Sequence, residues 1–291
     1  MPDWQHIFAA LREDGVSVAD NANAHSVGGG DISAAWRVDP EIFLKTGAPQ
    51  SLDMFEAEAE GLRELRSADA VRVPEVLSCG STANAAYLAM EWIEFDRPGR
   101  ETERLFGQQL AGLHRHSEGR FGWHRDNTIG LTLQQNQWSD DWVAFFAERR
   151  IGYQLRLAMS NGFGGELQSA GRELIDNLDS LFRDYQPKSS LLHGDLWGGN
   201  WAATQGKPVI YDPAVYYGDR ETDIAMTRLF GGFGCDFYSA YEESWPMEPG
   251  SEDRCRLYQL YHVLNHLNLF GRSYLGRAMQ LIRDINSRVR R

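Results

Sequence analysis

The sequence predicts an α+β protein whose first ninety or so residues form strands around one helix and whose remainder is mainly helical. Two observations carry this prediction. Short runs of β-branched and aromatic residues, bounded by turn formers, lie before Trp92, whereas beyond it apolar residues recur at spacings of three, four and seven. The chain has 291 residues, of which 42% are hydrophobic, so it can bury one large core or two modest ones, and a disordered chain is excluded.

The strand-rich part is predicted to hold four strands in two pairs, with a helix between the pairs. The strands are expected over residues 34–38, 42–45, 73–77 and 86–90. The helix is expected over residues 51–66, with Ser51 as its N-cap, because a serine side chain accepts hydrogen bonds from the free N–H groups at a helix start. A turn at 39–41 joins the first two strands, and a short amphipathic helix over 1–11 precedes them.

The remainder of the chain is predicted to be helical apart from two short strands, over 190–192 and 208–211. Helices are expected around residues 105–113, 142–149, 167–182, 258–264 and 275–285. A segment with a proline and a glycine, residues 94–101, is the expected boundary between the two parts. The chain is therefore predicted to divide into a first domain over 1–92 and a second over 93–291.

Charge and cysteine content limit the class of protein. The excess of 41 acidic over 29 basic residues gives a net charge of −12, which argues against a nucleic-acid binder, and a polyphosphate ligand would need a divalent cation beside it. Cys79, Cys235 and Cys255 are scattered, so we expect buried, reduced thiols rather than disulfides or a zinc site.

Residues 1–11 lack the basic head and apolar run of a secretion signal, and no window holds the roughly 18 apolar residues of a membrane span. We expect a cytoplasmic protein without membrane contact.

The segment with the sharpest chemical signature runs from Asp195 to Asn200. An apolar strand delivers Asp195 into a loop with two glycines, Asn200 follows five positions later, and the next strand ends at Asp212. We expect two adjacent strands to present these side chains at one edge. Phosphoryl transfer uses such residues: one carboxylate accepts the proton of the attacking hydroxyl, and an amide with a second carboxylate holds Mg²⁺ on the phosphates. The alternative is that Asp195 and Asn200 are ordinary turn formers beside glycine.

The strand-rich part supplies groups that suit a nucleotide. A cluster of Gly28, Gly29 and Gly30 lets backbone N–H groups approach phosphates, although such a cluster also marks loose turns. Lys45 ends an apolar strand, and Glu58 lies on the apolar face of the predicted helix. A carboxylate there is costly unless a cation meets it, so we expect Glu58 to pair with Lys45 and the pair to reach the α- and β-phosphates. The alternatives are a solvated lysine and a glutamate that reaches water.

Three further expectations concern polar groups around this constellation. The connector containing Met90, Glu91 and Ile93 is placed to offer backbone groups to an adenine edge, although its sequence is unspecific. Glu60 points to another face of the helix than Glu58 and is expected to be solvated. Asp223 lies in an acidic helix start, where it either caps the helix or reaches back to the backbone of the loop after the strand at 190–192.

With these residues assembled, the chain resembles the fructosamine kinase (ketosamine-3-kinase) family, a protein-kinase-like branch near the aminoglycoside phosphotransferases. The specific feature is the Trp197-Gly198-Gly199 insertion between Asp195 and Asn200. Further segments carry the resemblance over nearly the whole chain, namely residues 28–33, 54–58, 71–74, 121–123 and 264–271. Some members of the family carry a cysteine where this chain has Asp31, so no redox switch is expected in the glycine-rich loop, and the Asp31 side chain is expected to point away from the phosphates.

The resemblance implies a bilobal protein-kinase-like fold, with an antiparallel sheet and one main helix in the N-lobe and a larger, mostly helical C-lobe. It implies a kinase that uses ATP and Mg²⁺ to phosphorylate a sugar hydroxyl of a ketoamine, either a small molecule or a glycated lysine on a protein. It also implies roles for particular residues: Asp195 as catalytic base, Lys45 and Glu58 as the phosphate-binding pair, Asn200 and Asp212 as Mg²⁺ ligands, Trp197 as lining of the sugar site and His266 as its neighbour.

Two alternatives remain open at this point. One is another small-molecule kinase, for an aminoglycoside, choline or a sugar, and the Trp197 insertion argues against it. The other is a kinase-shaped binding protein without activity, which predicts the loss of at least one of the four residues that handle phosphate and proton. All four are present: Lys45, Asp195, Asn200 and Asp212. Whether the amine is free or protein-linked, and the oligomeric state, stay open as well.

Overall fold

The computed structural model describes residues 2–28, 33–38 and 41–289. Its first part holds a helix, a five-stranded antiparallel sheet and a second helix that crosses this sheet. In chain order these are α1 Trp4–Glu13, β1 Ala24–Ser26, β2 Ala34–Val38, β3 Ile42–Gly47, α2 Leu52–Ser67, β4 Val76–Ser81 and β5 Ala86–Glu91. Across the sheet the strand order is β1-β2-β3-β5-β4, with every neighbouring pair antiparallel.

The third predicted strand, which corresponds to β4, is displaced, and the reason is a proline. The expected range of 73–77 is wrong, because β4 begins at Val76 and continues to Ser81. Pro74 has no N–H to donate to a ladder, so the residues around it form a connector instead. The next N–H, that of Glu75, donates to the side chain of Glu91 (3.1 Å) rather than to a backbone carbonyl of the neighbouring strand.

The predicted helix in this part is observed, but its start differs from the expectation. Ser51 makes no side-chain capping bond, because a 3₁₀ turn over Pro49–Ser51 leads directly into α2. The buried face of α2 includes Phe55, Leu62 and Leu65, and they pack into the main core. On the other side of the sheet, α1 buries Ile7 and Leu11 in a separate small core. The sheet is thus covered on both faces, which explains why β5 is apolar and buried from Ala86 to Met90.

The second part is mainly helical, as predicted. Its helices are α3 Arg100–Leu113, α4 Trp142–Phe145, α5 Tyr153–Ser160, α6 Glu166–Asp176, α7 Glu221–Leu229, α8 Cys235–Ser244, α9 Ser251–Phe270 and α10 Leu275–Val289. A π-helical segment, Phe146–Gly152, joins α4 to α5, and a 3₁₀ turn over Leu178–Phe182 continues the apolar stripe of α6. The α+β expectation is confirmed by this arrangement, whereas the division into domains at residue 93 stays a prediction.

Three two-stranded sheets lie among these helices in the described ranges. Their strands are β6 Asn127–Ile129 with β7 Thr132–Gln134, β8 Ser190–Leu192 with β11 Tyr216–Gly218, and β9 Trp201–Thr204 with β10 Lys207–Ile210. The two strands predicted at 190–192 and 208–211 are both present, β10 being shifted by one residue. The expectation that they are adjacent is wrong, because each pairs with a strand that the sequence analysis does not identify.

The state of the cysteines and the length of the helices can be compared with what the composition predicts about thiols and membrane spans. All three cysteines are free thiols, but Cys235 is exposed at the start of α8, so the expectation that all are buried is wrong. The other two are half-buried. Within the described ranges, no helix is both long enough and apolar enough to cross a membrane.

Candidate active site

Lys45 lies between two carboxylates that are far apart in the sequence. It sits on β3, paired with Leu88 of β5, and its Nζ atom is 2.6 Å from Glu58 Oε1 on α2 and 2.7 Å from Asp212 Oδ1. Only 8% of Lys45 is exposed. Burial disfavours the ammonium, but the charges of Asp212 and Glu58 outweigh it and raise the pKa of Lys45. The contact confirms the predicted pairing with Glu58, and the role of the pair stays a prediction.

The loop after β8 brings Asp195 and Asn200 together beside Asp212. Asn200 Nδ2 donates to the backbone oxygen of Asp195 (2.9 Å) and to that of Asp212 (3.3 Å), and it also lies 3.4 Å from Asp195 Oδ2. Asp212 has a positive φ of 56°, a conformation that a non-glycine residue adopts at a cost. The expected convergence of these three residues is observed, although through separate strand pairs.

The environment of Asp195 favours its protonated form more than water does. Burial, followed by the charges of Asp212 and Asp223, raises its pKa to about 7, while the Asn200 amide acts in the opposite direction. A carboxylate whose pKa lies near neutrality suits general-base chemistry, because it can both accept and release a proton.

The backbone of the loop is held by Asp223, which lies on α7. Its Oδ2 accepts from His193 N–H (2.8 Å) and its Oδ1 accepts from Gly194 N–H (2.9 Å). Burial acts to raise the pKa of Asp223, but His114, His193 and the Gly194 N–H together outweigh it, so the pKa lies below the ordinary value. This confirms the alternative in which Asp223 reaches back to the loop.

His193 and Gly194 also shape the loop from within. Burial lowers the pKa of His193, so its ring is neutral; Nε2 donates to the Tyr211 carbonyl (2.9 Å) and Nδ1 accepts from Asp195 N–H (3.3 Å). Gly194 has a φ of 82°, and a Cβ atom there would collide with the Ala214 carbonyl oxygen. The loop therefore stands directly against the backbone that follows Asp212.

The residues that support Asp223 through hydrogen bonds are not predicted from the sequence. His114 lies 3.2 Å from Asp223 Oδ2 through Nε2 and 2.9 Å from the Tyr241 hydroxyl through Nδ1. Arg220 Nη1 donates to the same hydroxyl (3.0 Å). An isolated histidine after a helix has no distinguishing pattern, so the sequence held no signal for this support.

Glu60 is the clearest error among the predicted surface groups. It is not simply solvated: its oxygens lie 2.8 Å from His124 Nε2 and 2.6 Å from Arg125 Nη1. Arg125 also contacts Asp53 (2.5 Å), two helical turns earlier on α2. Desolvation acts to raise the pKa of Glu60, but the hydrogen bonds from His124 and Arg125 lower it below its ordinary value. These contacts tie α2 to the segment before β6.

The predicted nucleotide groups are only partly described. Gly28 is exposed in the loop between β1 and β2, whereas Gly29, Gly30 and Asp31 lie outside the described residues, as does part of the expected turn at 39–41. No metal-binding set of three or more acidic, histidine or cysteine side chains is found in the ranges that the structure covers.

In the connector, most backbone donors already have partners. Glu91 N–H donates to the Glu75 carbonyl (2.9 Å), and Trp92 N–H donates to that of Glu41 (2.7 Å). The Met90 side chain is buried in the core below. Within the described residues, no acceptor is found for the N–H of Ile93, and the expectation that the connector offers backbone groups to an adenine edge stays a prediction.

Trp197 and His266 have different neighbours among the described residues. The Trp197 side chain is 41% exposed, and its ring lies over Gly199 so closely that a Cβ atom there would collide with it. The ring contacts of His266 are with Phe230 (4.9 Å), Phe270 (5.3 Å) and Tyr274 (5.1 Å) rather than with Trp197. The segment after Phe230 packs on the loop at Gly198, so it connects the ring that contacts His266 with the loop that carries Trp197.

Comparison with known proteins identifies the family. A family model described as fructosamine kinase matches residues 3–288. The chain belongs to the fructosamine kinase family. Among curated members, it is 46% identical over 286 residues to a probable ketoamine kinase of Synechocystis sp., covering 97% of this chain and 96% of the relative. It is 39% identical over 293 residues to the chloroplastic protein-ribulosamine 3-kinase of Oryza sativa subsp. indica, covering 96% and 85%.

Solved structures of the fructosamine kinase family and its neighbours share this architecture. A putative fructosamine-3-kinase from Haemophilus somnus 129PT superimposes with a TM-score of 0.88 at 29% identity, covering 97% of each chain. An ADP-bound aminoglycoside phosphotransferase superimposes with a TM-score of 0.64 at 15% identity, covering 95% of this chain and 96% of the other. The predicted protein-kinase-like fold is therefore confirmed.

Proposed function

We propose that this protein is a ketoamine kinase, which transfers the γ-phosphate of ATP to a sugar hydroxyl of a fructosamine or ribulosamine. The observation that carries the proposal is a continuous set of contacts, in which Lys45 bonds Asp212 and the Asn200 amide bonds both the Asp212 backbone and Asp195. Family membership and the names of the relatives, ketoamine kinase and protein-ribulosamine 3-kinase, support the same conclusion.

In this proposal Asp195 is the catalytic base. One of its carboxylate oxygens lies near the Asn200 amide, which limits the rotation of the side chain and leaves the other oxygen for a substrate hydroxyl. Asp195 orients that hydroxyl toward the γ-phosphate and takes its proton as the new P–O bond forms, while the bond between the γ-phosphorus and the β–γ bridging oxygen breaks and ADP leaves. The raised pKa of about 7 favours this uptake.

The residues fit a divalent cation on the phosphates. Asn200 uses its Nδ2 on backbone oxygens, which directs its Oδ1 away from them, and Asp212 engages Lys45 through Oδ1 alone. Mg²⁺ needs only one or two oxygen ligands from the protein when substrate phosphates and water complete its coordination shell. We assign Asn200 and Asp212 as these ligands. Mg²⁺ would neutralise negative charge on the triphosphate, which an acidic protein of net charge −12 otherwise repels.

The other residues would bind the two substrates. The Lys45–Glu58 pair reaches the α- and β-phosphates, Gly28, Gly29 and Gly30 are assigned to the same phosphates by their sequence, and the connector from Met90 through Glu91 to Ile93 meets the adenine. For the sugar, the exposed ring of Trp197 supplies an apolar platform beside Asp195, and His266 supplies the far wall through Phe230. We include free ketoamines and glycated lysines on proteins as substrates, and the free thiols support a reducing compartment such as the cytoplasm.

The decisive experiment offers the protein a defined ketoamine. Fructose-lysine and ribulose-lysine are incubated with MgATP, and mass spectrometry follows the gain of one phosphate. An aminoglycoside, choline and free sugars serve as comparison substrates with coupled ADP detection. Phosphate on a ketoamine is expected. Turnover of another compound alone would favour a different small-molecule kinase, and nucleotide binding without any turnover would favour a binding protein.

Replacing Lys45 by methionine is expected to weaken the use of nucleotide. A charged hydrogen bond contributes about 1.5–3 kcal/mol, so kcat/KM for MgATP should fall by about 10- to 100-fold. KM for the ketoamine should change little, because Lys45 faces the phosphates. The exposed Lys188 provides the matched control, since Lys188→Met removes the same charge elsewhere. Equal MgATP kinetics in Lys45→Met and the control would contradict the assigned role.

A further inference from the structure

The geometry points to one hairpin as the element that sets both carboxylates around Lys45. This hairpin consists of β6, β7 and the residues that flank them, together 124–136. We propose that Gln134 and Arg125 are positioning residues for MgATP: Gln134 fixes the backbone after Asp212, and Arg125 fixes the helix that carries Glu58. The inference rests on the proposed function, because it concerns the same nucleotide site.

The first contact holds the chain that follows Asp212. Gln134 Nε2 donates to the Ala214 carbonyl (3.0 Å), and Asn127 Nδ2 donates to the Val215 carbonyl (2.8 Å). Asp212 itself adopts a positive φ, and such a conformation persists only where neighbouring contacts fix the backbone. The two buried amides provide that restraint, because they bond the backbone two and three residues after Asp212.

The amides are themselves fixed in one orientation. Gln134 Oε1 accepts from the Tyr261 hydroxyl (2.8 Å), so its Nε2 must face Ala214 and Asn127. Asn127 Oδ1 accepts from both Gln134 (2.9 Å) and Asn136 (2.8 Å). Gln134 is only 1% exposed, and a buried network in which each amide is satisfied has one arrangement. Among the described residues, no hydrogen bond joins Gln134, Asn127 or Asn136 to Lys45, Asp195 or Asn200, so the effect of these amides on the site is indirect.

The second contact holds α2 from the same hairpin. Arg125 bonds Glu60 (2.6 Å) and Asp53 (2.5 Å), seven residues apart on one face of the helix, and His124 bonds Glu60 as well (2.8 Å). Glu58 lies on a different face and meets Lys45. A rotation of α2 about its axis would break these surface contacts and move Glu58 away from Lys45.

The two held elements also touch each other. Gly61 of α2 lies against the chain after Asp212, where a Cβ atom would be 3.1 Å from Val215 Cγ2. The distance between Glu58 and Asp212 is therefore determined by α2, by the segment 212–215 and by the hairpin that binds both. Because Lys45 bonds both carboxylates, this geometry decides where its ammonium sits for the phosphates.

The test compares two buried glutamines. Gln134→Met removes both donated hydrogen bonds at similar volume, and Gln154→Met is the matched control, since Gln154 is equally buried but bonds Asn265 and Asn268 between α5 and α9. We expect Gln134→Met to raise the Kd for Mg²⁺–AMP-PNP and the KM for MgATP by about tenfold, the lower end for residues that support metal ligands. The KM for ribulose-lysine should stay near the wild-type value. Gln154→Met should lower the melting temperature comparably without changing the nucleotide Kd.

Arg125→Gln provides a second variant that does not disturb the core. It should raise the nucleotide Kd less than Gln134→Met, because His124 and the contact at Gly61 remain. Its control is Arg104→Gln, which breaks an exposed ion pair with Glu243 on helices away from the site. If wild type binds the nucleotide and Gln134→Met and Arg125→Gln bind as their controls do, the hairpin inference is overturned while the proposed function stands. If wild type binds no Mg²⁺–AMP-PNP, both are overturned.

Discussion

Replacing Asp195 by asparagine is expected to lower kcat for ketoamine phosphorylation by about 10²–10⁴-fold, the usual contribution of a general base. Asparagine has nearly the same shape and leaves Lys45, Asn200 and Asp212 in place, but it does not accept the proton of the attacking hydroxyl. The Kd for Mg²⁺–AMP-PNP should not rise, because the lost charge is one that repels the triphosphate. Coupled ADP detection gives kcat, and calorimetry gives the Kd.

The control for this variant is Asp184→Asn, which removes an exposed carboxylate elsewhere in the helical part. It should retain wild-type kcat and melting temperature. If Asp195→Asn folds, binds nucleotide and keeps the wild-type kcat, the proton acceptor is a different group, and the assignment of Asp195 fails. A loss of nucleotide binding together with turnover would instead assign Asp195 to the phosphate site.

Much of the fold follows from local pattern. The strand at Ala34–Val38 is observed with its predicted bounds, because its residues are apolar or aromatic except for Arg37 and turn formers flank it in the sequence on both sides. The pairing of β8 with β11 and of β9 with β10 does not follow in this way. Strands of three or four residues have little periodicity, and their partners are chosen by tertiary contacts that are distant in sequence.

For single residues of the site, too, local sequence pattern does not predict contacts between residues that are distant in the sequence. Glu58 could be predicted to meet a cation, because a carboxylate on an apolar helix face is unfavourable without one. Glu60 offers no such signal, since it lies off that face, and its partner Arg125 comes 65 residues later. His114 is separated from Asp223 by 109 residues and from Tyr241 by 127. Only the folded chain brings these supporting groups together.

A buried ion pair between α7 and α9 should have the largest effect on stability. Arg254 bonds both oxygens of Glu221, through Nε (2.9 Å) and Nη2 (2.8 Å), and the two residues are 2% and 1% exposed. Arg254→Met leaves the Glu221 carboxylate buried without its cation, so the free energy of unfolding should fall by about 3–5 kcal/mol. Urea titration followed by tryptophan fluorescence measures the change in midpoint and in unfolding free energy.

An exposed pair provides the comparison for this variant. Arg283 bonds Glu166 (2.7 Å) with both side chains more than half exposed, so Arg283→Met should cost no more than about 1 kcal/mol. The double variant Arg254→Met/Glu221→Met should be more stable than Arg254→Met alone, because it removes the stranded charge together with its partner. Equal stability of Arg254→Met and Arg283→Met would mean that Glu221 is satisfied without Arg254. Glu221 precedes Asp223 by two residues on α7, so the pair also anchors the helix that holds the loop of Asp195.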